Sequence, residues 1–360
     1  MLNPLLKLNP NLFSLDESKI EQAPIREGLG KGLLAAAEKD PRIVGLCADL
    51  TESTKMLAFK EKFPKRFIEI GVAEQNMASV ASGVAAMGKI PVITSYAMFS
   101  PGRNWEQIRT TICYNDQKVI IAGSHAGVSV GPDGGSHQAV EDIALTRVIP
   151  NMAVFSPCDA IEARRITEYA LTDAVKTPAY IRLAREKTPI ITTEETPFDA
   201  STLEAATKAQ LYFIPDTANP AVAAKLAARE NKAEVGIIAT GSLVYNALRA
   251  AFELEAEGVA VKVLHIHSIK PLDIQAVVAL SDECGAIVTV EEHQIAGGLG
   301  SAIAECLAAN ASRPSPIEFI GMHDQFGQSG KPNELVSFYK MDAPAIKEAA
   351  KKAVQRASQK

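Results

Sequence analysis

No apolar run in this chain reaches the length of a membrane span, which excludes a helical transmembrane segment. No block of lysine and arginine occurs and the net charge is −5, which excludes a general nucleic-acid binder. No two cysteines have metal-ligand spacing. The five present, Cys47, Cys113, Cys158, Cys284 and Cys306, are scattered and odd in number. A disulfide framework is therefore excluded, and buried reduced thiols in a cytoplasmic protein are expected. The first twenty residues lack a cationic start and a long apolar stretch, so they do not read as a secretory signal. No internal repeat is visible.

What is present is an ordinary globular balance, 47% hydrophobic and 22% charged over 360 residues. That is enough chain for two domains with sizeable cores. Residues 1–23, with Pro4, Pro10 and several asparagines, read as an extended N-terminal lead-in. From 24 to 190, short apolar runs alternate with helical patterns. Strands are expected at 43–47, 67–70, 91–94, 119–122, 153–155 and 179–183, and helices at 27–39, 77–88, through Trp105 and Ile112, and at 159–171. Such alternation predicts an α/β fold with a mainly parallel sheet flanked by helices. Residues 191–232, rich in Thr, Pro and Ala, read as a long linker with some helix, whose Leu211-Tyr212-Phe213 is expected to pack against something. A second, smaller α/β domain is expected over 233–360, with strands at 235–239, 259–265, 286–290 and 317–320, and helices at 243–257, 301–309 and 343–357.

The stretch that organises the chain is Arg-Phe-Ile-Glu-Ile-Gly-Val-Ala-Glu-Gln-Asn-Met, residues 66–77. Glu74 follows a strand end and opens a small-residue helix. A carboxylate there could be desolvated and share a proton. It could equally sit in the first helical turn and favour the dipole. The loop 123–138, Gly-Ser-His-Ala-Gly-Val-Ser-Val-Gly-Pro-Asp-Gly-Gly-Ser-His-Gln, follows a strand and so lies at the carboxyl edge of the sheet, where α/β proteins place ligands. It carries His125, Asp133 and His137, and its glycines permit close backbone approach. Arg182 and Arg185 bracket another strand end, and Arg26 precedes the first helix. Arginines so placed suit bidentate phosphate contacts, or simply a solvated surface. Tyr96 and Phe99, beyond a strand end, are core aromatics or a stacking face for a flat heterocycle.

Two motifs are set aside. Gly297-Gly298-Leu299-Gly300 mimics a dinucleotide loop but lacks the third glycine of the fingerprint. His265-Ile266-His267 puts two imidazoles on one strand face, with no third ligand at suitable spacing. No metal site is expected in this chain.

Taken together, Gly-Val-Ala-Glu-Gln-Asn (71–76), Ser-Tyr-Ala-Met-Phe (95–99), Gly-Pro-Asp-Gly-Gly-Ser-His-Gln (131–138), Arg-Val-Ile-Pro-Asn-Met (147–152), Tyr-Ile-Arg-Leu-Ala-Arg-Glu (180–186) and Ile-Ala-Thr-Gly-Ser (238–242) run in the order of the transketolase family of thiamine-diphosphate enzymes. The chain resembles that family's pyrimidine-binding and C-terminal domains over about residues 24–350. The resemblance implies that Glu74 hydrogen-bonds the cofactor's pyrimidine ring and promotes its activation, that Phe99 stacks on that ring with Tyr96 beside it, and that Asp49 lies near the cofactor. It further implies that His137 and Asp133 contact sugar hydroxyls, while Arg26, Arg185 and His125 hold a sugar phosphate. A two-carbon ketol unit would pass from a ketose phosphate to an aldose, as in pentose phosphate metabolism. The phosphate-binding serine of full-length transketolases has no clear match, because 51–66 is shorter here.

The relatives weighed are 1-deoxy-D-xylulose-5-phosphate synthases, which normally lack a histidine matching His125, and 2-oxoacid dehydrogenase E1 beta subunits, which lack Gly-Pro-Asp-Gly-Gly-Ser-His. A non-catalytic sugar-phosphate-binding or scaffolding paralogue is the reading from another class. The family binds diphosphate and metal through a Gly-Asp-Gly signature, and this chain contains none. The resemblance therefore implies a split enzyme. An N-terminal transketolase subunit would bind the diphosphate with Mg2+ or Ca2+, this chain would dimerise, and an α2β2-type assembly would place shared sites at subunit interfaces.

Overall fold

A computed structural model describes residues 1–14 and 19–359; the rest of the lead-in reading, at 15–18, lies outside the described residues. The first half runs β1 (Gln22–Pro24), α1 (Ile25–Lys39), β2 (Ile43–Cys47), α2 (Leu57–Lys62), β3 (Phe67–Glu69), α3 (Glu74–Ala86) and β4 (Ile90–Tyr96). It continues with α4 (Trp105–Gln107, passing into a π-helix at Ile108–Cys113), β5 (Ile120–Ser124), α5 (Asp142–Arg147), β6 (Ala153–Phe155), α6 (Ala160–Ala170), β7 (Ala179–Arg182) and β8 (Lys187–Pro189). Then come α7 (Leu203–Ala206), β9 (Gln210–Phe213), α8 (Pro220–Ala228), β10 (Ala233–Ala239), α9 (Val244–Ala256), β11 (Val261–His265), β12 (Ser268–Lys270), α10 (Ile274–Glu283), β13 (Cys284–Gln294), α11 (Leu299–Asn310), β14 (Ile317–Met322), α12 (Pro332–Phe338) and α13 (Ala343–Ser358).

The expected α/β architecture is what forms. A seven-stranded sheet has the order β12-β6-β7-β5-β4-β2-β3, and a five-stranded sheet the order β14-β13-β10-β11-β9. All pairings within them are parallel except β12 on β6 and β9 on β11. Every residue of β2, β5 and β10 is buried, as strands covered by helices on both faces require. Helix α1 carries three glycines for a packing reason. A Cβ on Gly28 would lie 2.3 Å from the Ala160 carbonyl oxygen, and one on Gly32 would lie 2.6 Å from the Arg164 carbonyl oxygen, so α1 can close on α6 only without side chains there. Asp40 and Pro41 end the helix.

Two segments depart from the sequence reading. Residues 210–213, expected to pack but within a linker, form the antiparallel edge strand β9, with Tyr212 and Phe213 fully buried. The short apolar run Leu-Tyr-Phe suffices once a neighbouring strand is available. The lead-in is not a free extension either. Leu2 bridges to Phe213, the Asn9 N–H donates to the Ile191 carbonyl at 2.9 Å, and Leu8 and Leu12 enter the core of the second domain. In addition, β12 comes from the second half of the chain yet completes the first sheet.

Candidate active site

The site is built on loops leaving the carboxyl ends of β3, β4, β5 and β7. After β4, the chain turns back so that the Phe99 N–H donates to the Tyr96 carbonyl at 2.8 Å. After β5, His125 adopts a positive φ of 56° and its Nδ1 lies 2.8 Å from the Ser124 hydroxyl. That geometry lays its ring on Tyr96, with centroids 3.8 Å apart. Phe99 meets the edge of His137 at 5.4 Å. Tyr96 and Phe99 stay half-buried, so each keeps part of its ring accessible.

Basic groups stand beside these rings. Arg26 Nη1 donates to the Arg185 carbonyl. Arg185 donates to the Val130 carbonyl at 2.6 Å and lies 3.7 Å from the Asp133 carboxylate. The loop after β5 and the arginine beyond β7 are therefore tied together. Arg26 Nε is buried with no partner. Burial, then the neighbouring Arg185, pulls the Arg26 guanidinium below its ordinary pKa. Burial, then Arg26, Arg185 and His137, lowers the His125 pKa to about 3. His125 is thus a neutral ring at physiological pH, a hydrogen-bonding and stacking group rather than a positive charge.

Glu74 opens helix α3, and its side chain is 97% buried, at 3% exposure. Its Oε2 has no hydrogen-bond partner. A buried polar atom left unpaired costs about 1–3 kcal/mol, so the position is built for a donor that arrives with a ligand or partner. Glu74 reaches the aromatic turn through Asn104, whose amide donates to the Glu74 carbonyl and to the Ser100 hydroxyl, both at 3.2 Å. Asn104 is fully buried and its Oδ1 is also unpaired. Beneath the Glu74 loop, Glu69 accepts from the Asp49 N–H at 2.8 Å, the Gly71 N–H at 3.0 Å and the Thr51 hydroxyl at 3.1 Å. Partial burial works against that carboxylate, but those donors hold it below its ordinary pKa.

The structure gathers Tyr96, Phe99, His125 and His137 through ring contacts and Arg26, Arg185 and Asp133 through polar ones, with both arginines near enough to act electrostatically on His125, and joins Glu74 to the aromatic turn through Asn104. Asp49 is exposed, and its backbone N–H donates to Glu69. Asn104 and Glu69 were not singled out from sequence. A polar residue within Phe-Ile-Glu-Ile was the available signal for Glu69; for Asn104 there was none, since its role depends on a turn and a helix meeting.

Arg182 does not belong to this group. It points inward, 4% exposed, with Nε donating to Asp142 at 2.9 Å and Nη2 to the Glu292 carbonyl at 2.7 Å. The Tyr180 hydroxyl donates to the same Asp142 oxygen at 2.6 Å. The glycine loop before α11 is likewise occupied from within. Glu291 accepts the Leu299 and Gly300 N–H groups at 2.6 and 2.8 Å, so an internal carboxylate fills that helix N-terminus.

Residues 21–190 match the model of the transketolase pyrimidine-binding domain, and residues 223–346 that of the transketolase C-terminal domain. A putative transketolase C-terminal section from Methanocaldococcus jannaschii is 38% identical, covering 89% of this chain and 93% of that protein. The chain belongs to the transketolase family. The 6-deoxy-6-sulfo-D-fructose transketolase subunit SqwH of a Clostridium species is 36% identical over 94% of this chain and 97% of its own length. A solved split-gene transketolase, described as an inactive β4 tetramer, superimposes with a TM-score of 0.79 at 38% identity, covering 92% of this chain and 98% of that one. Transketolase membership brings dependence on thiamine diphosphate. The residues present fit one end of that cofactor: an unpaired buried carboxylate oxygen suits a ring nitrogen or amine, and half-covered aromatic faces suit a pyrimidine.

Proposed function

We propose that this chain is the C-terminal subunit of a split transketolase and moves a two-carbon ketol unit from a ketose phosphate to an aldose or aldose phosphate. The observation that carries the reading is the unpaired Oε2 of Glu74, held dry beside an aromatic turn. Bound thiamine diphosphate would supply the electron sink for breaking and forming the carbon–carbon bond. Glu74 would hold a proton shared with the pyrimidine ring, and Phe99 would fix that ring by stacking, with Tyr96 beside it. Burial at the start of α3 keeps water from the Glu74 carboxylate.

Arg26 and Arg185 would clamp the anionic end of the sugar, a phosphate or a comparable group. The SqwH relative's name refers to a sulfo sugar, whose charge calls for the same two arginines. Asp133 and His137 would read hydroxyls, and neutral His125 would add a hydrogen bond rather than a charge. Asp49 remains a cofactor-side proposal that rests on the family motif alone.

The diphosphate and its Mg2+ or Ca2+ would be held by an N-terminal subunit carrying Gly-Asp-Gly, a sequence absent here. Relatives named as a C-terminal section and as a subunit match this chain over 93% and 97% of their own lengths, which supports a two-chain enzyme. We take the assembly to be α2β2. The test is reconstitution. Ketol transfer is measured for this chain alone, for the N-terminal subunit alone and for the mixture, each with thiamine diphosphate and Mg2+. Turnover is expected from the mixture only. Robust turnover by this chain alone would overturn the proposal.

A further inference from the structure

The two histidines set aside in the sequence, His265 and His267, meet new partners in the fold. His265 ends β11 in the second domain, and His267 lies two residues on. Across the domain junction stand Cys158, just before α6, and Glu162, in the first turn of α6. All four are enclosed, at 0% exposure for Cys158 and His265, 5% for Glu162 and 3% for His267. Cys158 Sγ, a Glu162 oxygen and a His265 nitrogen all lie within 4.8 Å of one another.

The hydrogen bonds around His267 decide what this cluster lacks. Its Nε2 is 2.7 Å from the Ala206 carbonyl oxygen, which can only accept, so Nε2 carries the hydrogen. The neutral ring then has its lone pair on Nδ1. That atom is buried, has no hydrogen-bond partner and faces Glu162 Oε1 at 3.5 Å. Glu162 is already paired with His265 at 3.0 and 2.9 Å, so the group left without a partner is the His267 Nδ1 lone pair, which a proton or a metal cation beside Glu162 would satisfy.

We propose that Cys158, Glu162 and His265 hold a zinc-type divalent ion at the junction of the two domains, with His267, which lies outside that mutually close trio but has Nδ1 3.5 Å from Glu162 Oε1, turning in as the fourth ligand. One thiolate, two imidazoles and one carboxylate are a borderline-soft N/O/S set, which suits Zn2+ and not the hard, oxygen-liganded Mg2+ or Ca2+. Once His267 turns in, four protein ligands leave no open position, and the enclosed site is structural. Outer contacts fit as well. His265 Nδ1 faces the Ala239 carbonyl at 3.4 Å, the Cys158 N–H donates to Glu162 Oε2 at 2.7 Å, and the Tyr212 hydroxyl lies 3.9 Å from Cys158 Sγ.

Tetrahedral bonds of about 2.0–2.3 Å set ligand atoms about 3.3–3.8 Å apart. His265 Nε2 and Glu162 Oε2, now at 2.9 Å, must therefore open by a few tenths of an ångström when the ion enters. Loading releases the Cys158 thiol proton to solvent, and because the site is enclosed, it accompanies folding. The ion would rivet the start of α6 to the end of β11.

The test uses the full chain, expressed with zinc and purified without chelators. Elemental analysis is expected to find about one zinc per chain. X-ray absorption at the zinc edge of the wild type is expected to show sulfur together with nitrogen and oxygen neighbours. Cobalt-substituted wild type should show thiolate-to-cobalt charge-transfer absorption, which Cys158→Ser removes, and His267→Gln should weaken zinc binding more than about tenfold. A wild type that takes up no zinc even when zinc is offered overturns the proposal and leaves a plain glutamate–histidine ion pair. So does bound zinc without a sulfur neighbour. The wild-type measurements decide the matter whether or not the variants fold.

Discussion

The rings of Tyr96 and His125 stack 3.8 Å apart, with planes inclined by 23°, at the ends of neighbouring strands β4 and β5. The stack shields His125 from water beside two arginines. A histidine whose pKa is lowered to about 3 stays neutral across the working range of most enzymes. In an NMR titration, His125 should therefore show no protonation between about pH 8 and pH 5. Arg26→Met removes the largest charge acting on it and should raise its pKa towards the ordinary 6.5. A wild-type midpoint near the ordinary value would contradict the stacked, desolvated geometry.

Glu74→Gln should leave the fold intact and remove most of the activity. Positioned acid–base groups contribute about a hundred- to ten-thousandfold to rate. With the N-terminal subunit and thiamine diphosphate present, kcat is expected to fall at least about a hundredfold, with an unchanged circular dichroism spectrum. Retained activity would favour a scaffolding role for the chain.

Arg26→Met and Arg185→Met should act on substrate binding. Losing a charge-assisted hydrogen bond costs about 1.5–3 kcal/mol, which is about ten- to a hundredfold in KM for a phosphorylated sugar. The effect should shrink for the same sugar without its phosphate. Equal losses on both substrates would place the arginines elsewhere in the mechanism.

Breaking the Arg182–Asp142 pair should be costly. Both side chains are enclosed, at 4% and 1% exposure. Arg182→Met leaves Asp142 charged and buried, which typically costs about 3–5 kcal/mol. Urea denaturation should show that loss. Arg182→Met with Asp142→Asn should recover part of it, because the stranded charge is gone.

The pH dependence of stability should carry two opposed signals from one place. Burial pushes the Glu291 carboxyl up to about 7 and the His293 imidazole, 3.8 Å away, down to about 4. The folded state holds the Glu291 proton above the ordinary 4.5, so that contribution is full below about 4.5 and fades as the pH rises through about 7. The His293 contribution is present above its ordinary 6.5 and is lost as the pH falls towards 4. Glu291→Gln should therefore gain stability relative to wild type as the pH rises from about 5 to about 8. Parallel urea midpoints across that range would show that the buried carboxyl does not titrate there.

The regular elements were legible because their patterns are local. The span 43–47 reads as a buried strand from Ile-Val-Gly-Leu-Cys alone, and Asp40-Pro41 marks the end of α1 without help from the fold. What could not be read depends on partners distant in sequence. The strand at 210–213 needs β11 beside it, and Leu8 and Leu12 need the second domain's core. In the candidate site, residue types were legible and orientations were not. Arg182 and Arg185 look alike in Tyr-Ile-Arg-Leu-Ala-Arg-Glu, yet the strand's two-residue alternation turns Arg182 into the interior and the loop leaves Arg185 at the edge. The neutrality of His125 is the joint effect of a ring, two arginines and burial, none of them sequence neighbours except by coincidence of strand order.

The placement of β12 has a practical consequence. A strand encoded near residue 268 completes a sheet whose other strands end by residue 182, so the first domain's edge is supplied by the second. A protease cut in the connector between β8 and β9 should yield two fragments that stay together through native purification and part only in denaturant. By the same reasoning, a gene truncated after residue 190 would encode a sheet with a bare edge, prone to pair with itself.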